Sequence, residues 1–270
     1  MPTVATRTRA PQKRDRGATL ARAALVLNAI ASHPTDHGVT LTELSKELKL
    51  HKSTTHRLLL GLEQIAFVEH YDNGERYRLG IKLVELAGRY LDDSNLVGEA
   101  TSILYDAMLQ CGETIHMAIL DGTDVVYIAK VDGQHSVRLH SRIGDRRPAA
   151  TTSLGKAIMA YRPISQVESI IAAGLPARTP KSITVPNLLR ARLEEVRANG
   201  YAVDDEETAL GVRCVAAPIF NYCGEVIAGV SISGPTMRVL TERVPELGDL
   251  VKTTALKISQ QMGYSSSSML

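Results

Sequence analysis

The sequence predicts two short amphipathic helices separated by about three residues near the front of this chain, and few folds contain such a pair. Thr40 and Glu43 have the spacing of a capping box, which predicts the start of the first helix, and that helix should end near Lys49. Its apolar stripe consists of Leu41, Leu44 and Leu48. The second helix lies in HKSTTHRLLLGLEQ, residues 51–64. Such a pair is typical of a helix-turn-helix, whose second helix enters the major groove of DNA.

The second helix has two unlike faces. At 100° per residue, the predicted apolar face comprises Thr55, Leu58, Leu59, Leu62 and Ile65. The opposite face comprises Ser53, His56, Arg57, Gln64 and, among them, Leu60. A helix face that meets only water usually carries Glu/Lys pairs, so this pattern favours DNA contact over a solvated face. The predicted contacts to phosphates and base edges are Lys52, Ser53, Thr54, His56 and Arg57.

Within this set, Arg57 is the candidate for a bidentate contact to guanine. Ser53 or Thr54, at the start of the helix, is the candidate for a phosphate contact. Leu60 leaves two alternatives open, a thymine methyl group or another part of the protein.

A β-hairpin is predicted directly after this helix, in FVEHYDNGERYRLG, residues 67–80. Asn73-Gly74 favours a tight turn between strands at 67–71 and 75–79. Arg76 and Arg78 alternate with apolar residues and are expected to point outward, where a wing would meet the DNA backbone. The alternative is an ordinary structural hairpin.

The charge distribution also separates the front of the chain from the back. Residues 1–92 contain 14 Lys/Arg and 10 Asp/Glu, which leaves +4, and the remaining residues contain 17 and 19, which leaves −2. A basic front suggests a polyanionic partner, although a basic tail without a partner would give the same excess. The predicted organisation is a disordered tail at 1–17, a winged helix-turn-helix at 18–80, a linker helix at 81–95 and a larger domain at 96–264. The linker helix is apolar enough to bury surface on a second copy of the chain, which predicts a homodimer.

Several classes of protein are disfavoured by composition. Three cysteines without a CxxC pair argue against a disulfide framework and a zinc site, and they suggest a reducing cytoplasm. The histidines are scattered, so we expect no metal and no cofactor. Since the chain lacks a run of about 18 apolar residues, we expect no membrane-spanning helix and no membrane partner.

The back two thirds mix strands and helices with hairpin-length turns, which predicts an α+β fold with an antiparallel sheet. Strands are expected at 113–122, 123–133, 135–144, 212–220 and 225–234. Helices are expected at 96–110, 152–161, 164–174, 188–200 and 240–262.

Two longer segments carry a resemblance to a known family. GYAVDDEETALGVRCVAAPIFNYCGEVIAGVSISGPTMRV, residues 200–239, and RIGDRRPAATTSLGKAIMAY, residues 142–161, resemble the IclR family of bacterial transcriptional regulators. The resemblance covers roughly residues 18–262. It implies a GAF-like effector domain that binds a small organic acid, a dimer or dimer of dimers on a pseudo-palindromic operator, and repression as the expected sign of regulation. The pocket positions that it implies are Ile143, Ser153, Leu154, Asp204, Cys214, Ser231 and Ser233.

The residue pattern is compatible with such a pocket. Ser231 and Ser233 are two apart on a predicted strand and therefore face the same side. The start of the helix near Ser153 would favour a carboxylate, whereas Asp204 would accept a hydrogen bond from an effector hydroxyl or amide. Cys214 could equally be a core residue, the two serines could satisfy backbone groups, and Leu154 leaves the size of the pocket open.

Two other classes of function fit this sequence less well. Ser153 and Lys156 form an S-x-x-K sequence, as in a serine hydrolase, but the accompanying S-D-N and K-T-G sequences are missing, so we expect no enzyme. A DNA-architectural protein without a ligand would not need a domain as large as residues 96–264.

Overall fold

The computed structural model describes residues 16–33, 38–71, 75–92, 96–136 and 141–265. The described residues form two compact units that divide between Tyr90 and Leu91. The predicted α+β class is confirmed, since a helix-turn-helix unit precedes an antiparallel-sheet unit. Among the described residues, no helix is long and apolar enough to cross a bilayer.

The first unit contains α1 (Arg16–Ser32), β1 (Val39–Thr40), α2 (Leu41–Glu47), α3 (Lys52–Gln64), β2 (Val68–Tyr71), β3 (Arg76–Leu79) and most of α4 (Lys82–Asp92). Helix α1 begins at Arg16, inside the predicted tail. The sequence did not reveal this start, because residues 16–19 carry no apolar periodicity. The rest of that tail, and the Asp72-Asn73-Gly74 turn, lie outside the described residues. Helix α4 occupies the predicted linker.

The predicted capping box of α2 is present. The backbone N–H of Thr40 donates to Glu43 Oε2 at 2.8 Å, and the backbone N–H of Glu43 donates to Thr40 Oγ1 at 3.2 Å. Both groups would otherwise lack a partner at the start of the helix. The box therefore fixes where α2 begins and, through the short turn after it, where α3 begins.

Helices α1, α2 and α3 enclose one core with the three-stranded sheet β1-β3-β2. The residues of α3 buried in it are Thr55, Leu58, Leu59 and Leu62, as predicted. Ile65 was predicted with them but is 54% exposed. The helix ends at Gln64, and Ala66 then takes a φ of 58°, so the helical face does not continue through Ile65.

The second unit is built on a six-stranded antiparallel sheet in the order β6-β5-β4-β9-β8-β7. Its strands are β4 (Thr114–Asp121), β5 (Asp124–Val131), β6 (Arg146–Pro148), β7 (Ala202–Asp205), β8 (Val212–Phe220) and β9 (Val226–Pro235). Its helices are α5 (Leu96–Cys111), α6 (Ser153–Met159), α7 (Ile164–Ala172), α8 (Pro186–Asn199) and α9 (Val244–Gln261), with 3-10 turns at Ala149–Thr151 and Thr241–Arg243.

Helices cover both faces of this sheet and divide its interior into two cores. Helices α5 and α9 pack on one face, with Leu104 and Leu247 fully buried. Helices α6, α7 and α8 close the other, with Ile158 and Leu189 fully buried. The sheet is therefore the middle of three layers, and its second face carries the cavity described below.

In the second unit, two strands differ from prediction. The run at 135–144 was predicted as a strand, but its described residues form no strand, and 137–140 lie outside the described part. The strand lies at Arg146–Pro148 instead, where Arg146 pairs with Asp121 and Asp124 across the sheet edge. Strand β7 was missed, because four residues are too few for a clear alternating pattern.

Candidate nucleic-acid interface and ligand cavity

The exposed face of α3 carries the polar residues that the sequence pattern predicted. Lys52, Ser53, His56 and Arg57 are exposed, and Thr54 is half-buried. Within the described part of the chain, no hydrogen bond or ion pair engages the side chains of Lys52, His56 or Arg57. These groups are therefore available to a partner outside the chain.

A residue that sequence reasoning missed caps this helix. His51 is the N-cap of α3, and its Nδ1 accepts the backbone N–H of Ser53 at 3.3 Å. The Ser53 hydroxyl lies 2.8 Å from the same nitrogen. Histidine is not a preferred N-cap, so composition offered no signal. The Ser53 side chain is consequently held close to the start of the helix.

The two arginines of the hairpin have different surroundings. Arg78 is exposed, donates from Nε to Glu69 Oε1 at 2.6 Å, and lies over the ring of Tyr71. Arg76 is half-buried, and its Nη1 donates to the carbonyl of Gly38 at 3.2 Å. Arg78 points outward as predicted, whereas Arg76 is partly engaged in holding the hairpin to the segment before β1.

The second unit has a cavity of about 270 Å³ on the face of the sheet that carries α6. Its floor follows the strand register. Asp204, Cys214 and Ser233 are successive cross-strand neighbours on β7, β8 and β9. Ser231 pairs with His116 on β4. Five residues from four strands therefore form one polar surface.

The floor continues through an aromatic side chain on β5. The ring of Tyr127 stacks on His116, with 4.8 Å between the ring centroids. Nε2 of His116 lies 2.7 Å from the Ser141 hydroxyl. Burial, aided by the charge of Lys130, lowers the pKa of His116 to about 4, so the ring is neutral near pH 7.

The start of α6 and the turn after β7 form the walls. Thr152 caps α6 by accepting the backbone N–H of Gly155 at 2.9 Å, and Ser153 and Leu154 line the cavity beside it. Gly155 must be glycine here, since a Cβ would lie 2.1 Å from the carbonyl oxygen of Ala149. Across the cavity, Thr208 donates to the carbonyl of Thr151 at 3.0 Å, which ties the two walls together.

Asp204 is buried and already accepts two hydrogen bonds. Its Oδ1 receives the backbone N–H groups of Glu207 at 2.7 Å and Thr208 at 3.2 Å. Burial raises its pKa, while the charge of Lys156 and these hydrogen bonds oppose the rise. Burial also raises the pKa of the neighbouring Cys214 thiol, which therefore stays protonated near neutral pH.

A buried ion pair lies behind this wall. Lys156 has no exposed surface, and its Nζ donates to Oε1 of Glu207. The other oxygen of Glu207 is buried without a hydrogen-bond partner in the described structure, and burial raises the pKa of this carboxyl. The lysine of the S-x-x-K sequence is thus committed to Glu207.

Arg147 supplies a permanent positive charge at the cavity. It is half-buried, lies 3.4 Å from the carboxylate of Asp145, and donates to the carbonyl of Arg146 at 2.9 Å. Sequence reasoning missed it, as it missed several other lining residues: His116, Tyr127, Ser141, Thr208 and Val212. They come from strands and turns whose register the sequence did not define.

Six of the seven predicted pocket residues line this cavity: Ser153, Leu154, Asp204, Cys214, Ser231 and Ser233. Ile143 does not, and it is 60% exposed. It lies in a turn closed by Arg142 N–H on the Asp145 carboxylate, which leaves its side chain on the surface. Across the described ranges, no cluster of His, Cys, Asp or Glu could hold a metal ion.

Comparison with known proteins gives consistent matches over both units. The IclR helix-turn-helix domain matches residues 19–71, and the C-terminal domain of the bacterial transcriptional regulator IclR matches residues 88–260. The HTH-type transcriptional regulator KdgR of Escherichia coli is 39% identical over 227 residues, which are 84% of this chain and 86% of the relative. The transcriptional repressor IclR of the same organism is 36% identical over 228 residues, 83% of each chain. The crystal structure of Thermotoga maritima IclR has a TM-score of 0.77 and 35% identity, over 92% of this chain and 100% of that one.

Proposed function

The chain is a DNA-binding transcriptional regulator that belongs to the IclR family, and we propose that a small organic acid bound in its cavity controls its affinity for DNA. The observation that carries the proposal is the 270 Å³ cavity, whose floor is polar and whose wall carries Arg147. A structural domain would close such a space with apolar side chains, because unpaired buried polar groups are costly. The expected sign of regulation is repression.

The chemistry of the lining favours a carboxylate. A guanidinium binds a carboxylate through two parallel hydrogen bonds, so Arg147 is the proposed partner of the acid group. Asp204 accepts hydrogen bonds and would select a hydroxyl or amide of the same ligand. The cavity is below the roughly 300–1,000 Å³ of sites for drug-sized molecules, which favours one ring or a short aliphatic chain.

On the DNA side, we assign base and phosphate contacts to the exposed residues of α3. Arg57 is the proposed guanine contact, and Lys52, Ser53, Thr54 and His56 would complete the interface. Arg78 would approach the DNA backbone from the wing, with Arg76 as a weaker contributor because it already donates to Gly38.

The proposed assembly is a homodimer or a dimer of dimers. Ile81, Val84 and Leu86 leave large apolar side chains exposed at the start of α4, a surface that a second copy would cover. Two reading heads in a symmetric dimer would match a pseudo-palindromic operator. We place this regulator in the cytoplasm, where its DNA partner is found.

Effector and operator would be coupled by population shift. An acid that binds one arrangement of the DNA-binding units better than another must change operator affinity, and operator must change acid affinity by the same factor. We assign Ser153 and Lys156 no hydrolase role, since Lys156 pairs with Glu207. The cavity also argues against a purely architectural role on DNA.

Fluorescence anisotropy tests the proposal directly. The full-length protein is titrated onto DNA from upstream of its own gene and onto scrambled DNA, with a panel of small aliphatic and aromatic acids. We expect sequence-dependent binding that one acid shifts. Binding that ignores sequence and collapses with salt would reject the proposal.

A variant of the cavity provides the matched measurement. Arg147→Gln should weaken binding of the active acid about tenfold or more, because a charged hydrogen bond is lost. Its operator affinity without acid should stay at the wild-type value. Unchanged acid affinity would show that Arg147 does not contact the bound acid.

A further inference from the structure

Leu60 is a large apolar side chain on the face of α3 that otherwise carries polar groups. It is 43% exposed, whereas its neighbours Leu59 and Leu62 are buried in the core of the first unit. We propose that Leu60 is a specificity-determining residue that reads the C5-methyl group of a thymine in the operator. This inference rests on the proposed placement of α3 in the major groove.

The position of Leu60 along the helix supports this assignment. Ser53, Arg57, Leu60 and Gln64 are all exposed and follow the i, i+4, i+7, i+11 spacing of one helical stripe. Leu60 thus lies between two polar residues of the surface that would enter the groove, rather than at its border. Any DNA that contacts Arg57 and Gln64 must also cover Leu60.

The chemistry of the groove then identifies the partner. Base edges in the major groove present hydrogen-bond donors and acceptors, and the thymine methyl is the apolar group among them. A leucine pressed against a donor or acceptor would remove its water without replacing the hydrogen bond. Thymine is therefore the base that Leu60 tolerates best.

Helix geometry also predicts where this thymine lies. Leu60 follows Arg57 by three residues, which is about 4.5 Å along the helix axis. Successive base pairs are about 3.4 Å apart. The thymine should therefore lie one or two base pairs from the guanine that Arg57 contacts.

Replacing thymine by deoxyuridine tests this contact, because it deletes the methyl group and leaves base pairing intact. Duplexes are first selected from a random library by the full-length protein, and each thymine is then replaced in turn. For the wild type, one replacement per half-site should weaken binding about fourfold, the value of one buried methyl group. For Leu60→Ala, the same replacement should have no effect.

Two controls separate this inference from the wider proposal. Alanine preserves the helix, so Leu60→Ala should unfold at the wild-type temperature, and Leu188→Ala makes the same change at an exposed position of α8. Leu188→Ala should keep the wild-type response to deoxyuridine. Equal responses in wild type and Leu60→Ala would overturn the role of Leu60 while leaving sequence-specific binding intact.

The remaining outcomes also decide the question. If Leu60→Ala weakens binding to all duplexes alike and changes the oligomeric state in sedimentation, Leu60 contacts another subunit and not a base. If the wild type selects no sequence at all, the proposed DNA contact and the role of Leu60 both fail.

Discussion

The α3 surface and the cavity both present polar groups, but these groups are exposed on α3 and mostly buried in the cavity. On α3, Lys52, His56 and Arg57 are exposed and make no ion pair with any described residue. In the cavity, Asp204 and His116 are buried and hydrogen-bonded to protein groups. The polar groups of α3 can therefore form hydrogen bonds with a partner molecule, whereas those of the cavity already form some of their hydrogen bonds with the protein and so stabilise the shape of the cavity.

This difference indicates the source of the binding free energy for DNA on α3 and for a ligand in the cavity. An exposed cationic helix gains affinity from the charge of its partner and from released counterions, so its contribution depends on salt. A cavity of fixed, buried groups gains selectivity, because its donors and acceptors are already oriented and cannot turn to suit a wrong ligand. Substitutions should therefore reduce fold stability in the cavity unit and DNA affinity on α3.

Loss of the buried Lys156–Glu207 pair should give the largest effect. Lys156→Met leaves the Glu207 carboxylate buried and unpaired beside Asp204, which typically costs about 3–5 kcal/mol. Lys181→Met is the matched control, since Lys181 pairs with Glu206 at the surface of the same turn, where solvent screens the charges. Urea unfolding would measure the loss of unfolding free energy in both variants, provided that this free energy falls with urea concentration at the same slope in each. Equal losses in the two variants would contradict the contrast between buried and exposed groups.

The same variant should also respond to pH. Burial already raises the pKa of Glu207, and removal of the Lys156 charge raises it further. A carboxyl whose pKa is higher in the folded state destabilises the fold as pH rises through that value. The stability deficit of Lys156→Met should therefore be larger at pH 8 than at pH 5.

His116 should produce the next largest effect, again on stability. Its pKa is lowered from 6.5 to about 4, so the unfolded chain takes up the proton first as the solution is acidified. The free energy of unfolding should fall between about pH 6.5 and pH 4, by about 3 kcal/mol in total from this residue, and be flat above pH 7. His116→Gln should remove this component, which unfolding at several pH values would reveal. Parallel pH curves for wild type and variant would show that His116 titrates normally.

The same contrast explains how much of each region the sequence could predict. The face of α3 follows from spacing within 13 residues, and its four buried positions Thr55, Leu58, Leu59 and Leu62 were correct. The prediction that Ile65 is buried was wrong because the helix ends one residue earlier. Helical periodicity is local, so no tertiary information was needed.

The cavity depends on pairing between distant strands. Alternation along β9 correctly placed Ser231 and Ser233 on one side, because the pleat is also local. That Ser231 lies opposite His116 follows from the register of β9 with β4, which no short-range pattern reveals. Ile143 came from a family resemblance alone, and the turn in this chain leaves it on the surface.

On α3, the largest expected effect is on DNA recognition. Arg57→Ala should cost about 1–3 kcal/mol of binding to the selected sequence and relax discrimination at one base pair. Lys52→Ala should instead weaken binding to all sequences alike and lower the salt slope by about one. Neither change should alter the unfolding midpoint, since both side chains are exposed. Anisotropy at several salt concentrations separates the two behaviours, and uniform weakening by Arg57→Ala would reassign it to phosphate.

The smallest effect is expected from a single hydroxyl in the cavity. Ser231 is buried, and its Oγ lies 3.3 Å from that of Ser233, so Ser231→Ala removes one hydrogen-bonding group without leaving a charge unpaired. Loss of one neutral hydrogen bond to the acid should weaken its binding by about 0.5–1.5 kcal/mol. Operator affinity in the absence of acid should not change, because the substitution lies outside the DNA-binding unit. Calorimetric titration with the active acid gives the first quantity and anisotropy gives the second. An unchanged dose–response would remove Ser231 from the effector contacts, and weaker operator binding without acid would mean that the two regions are not as separate as their polar groups suggest.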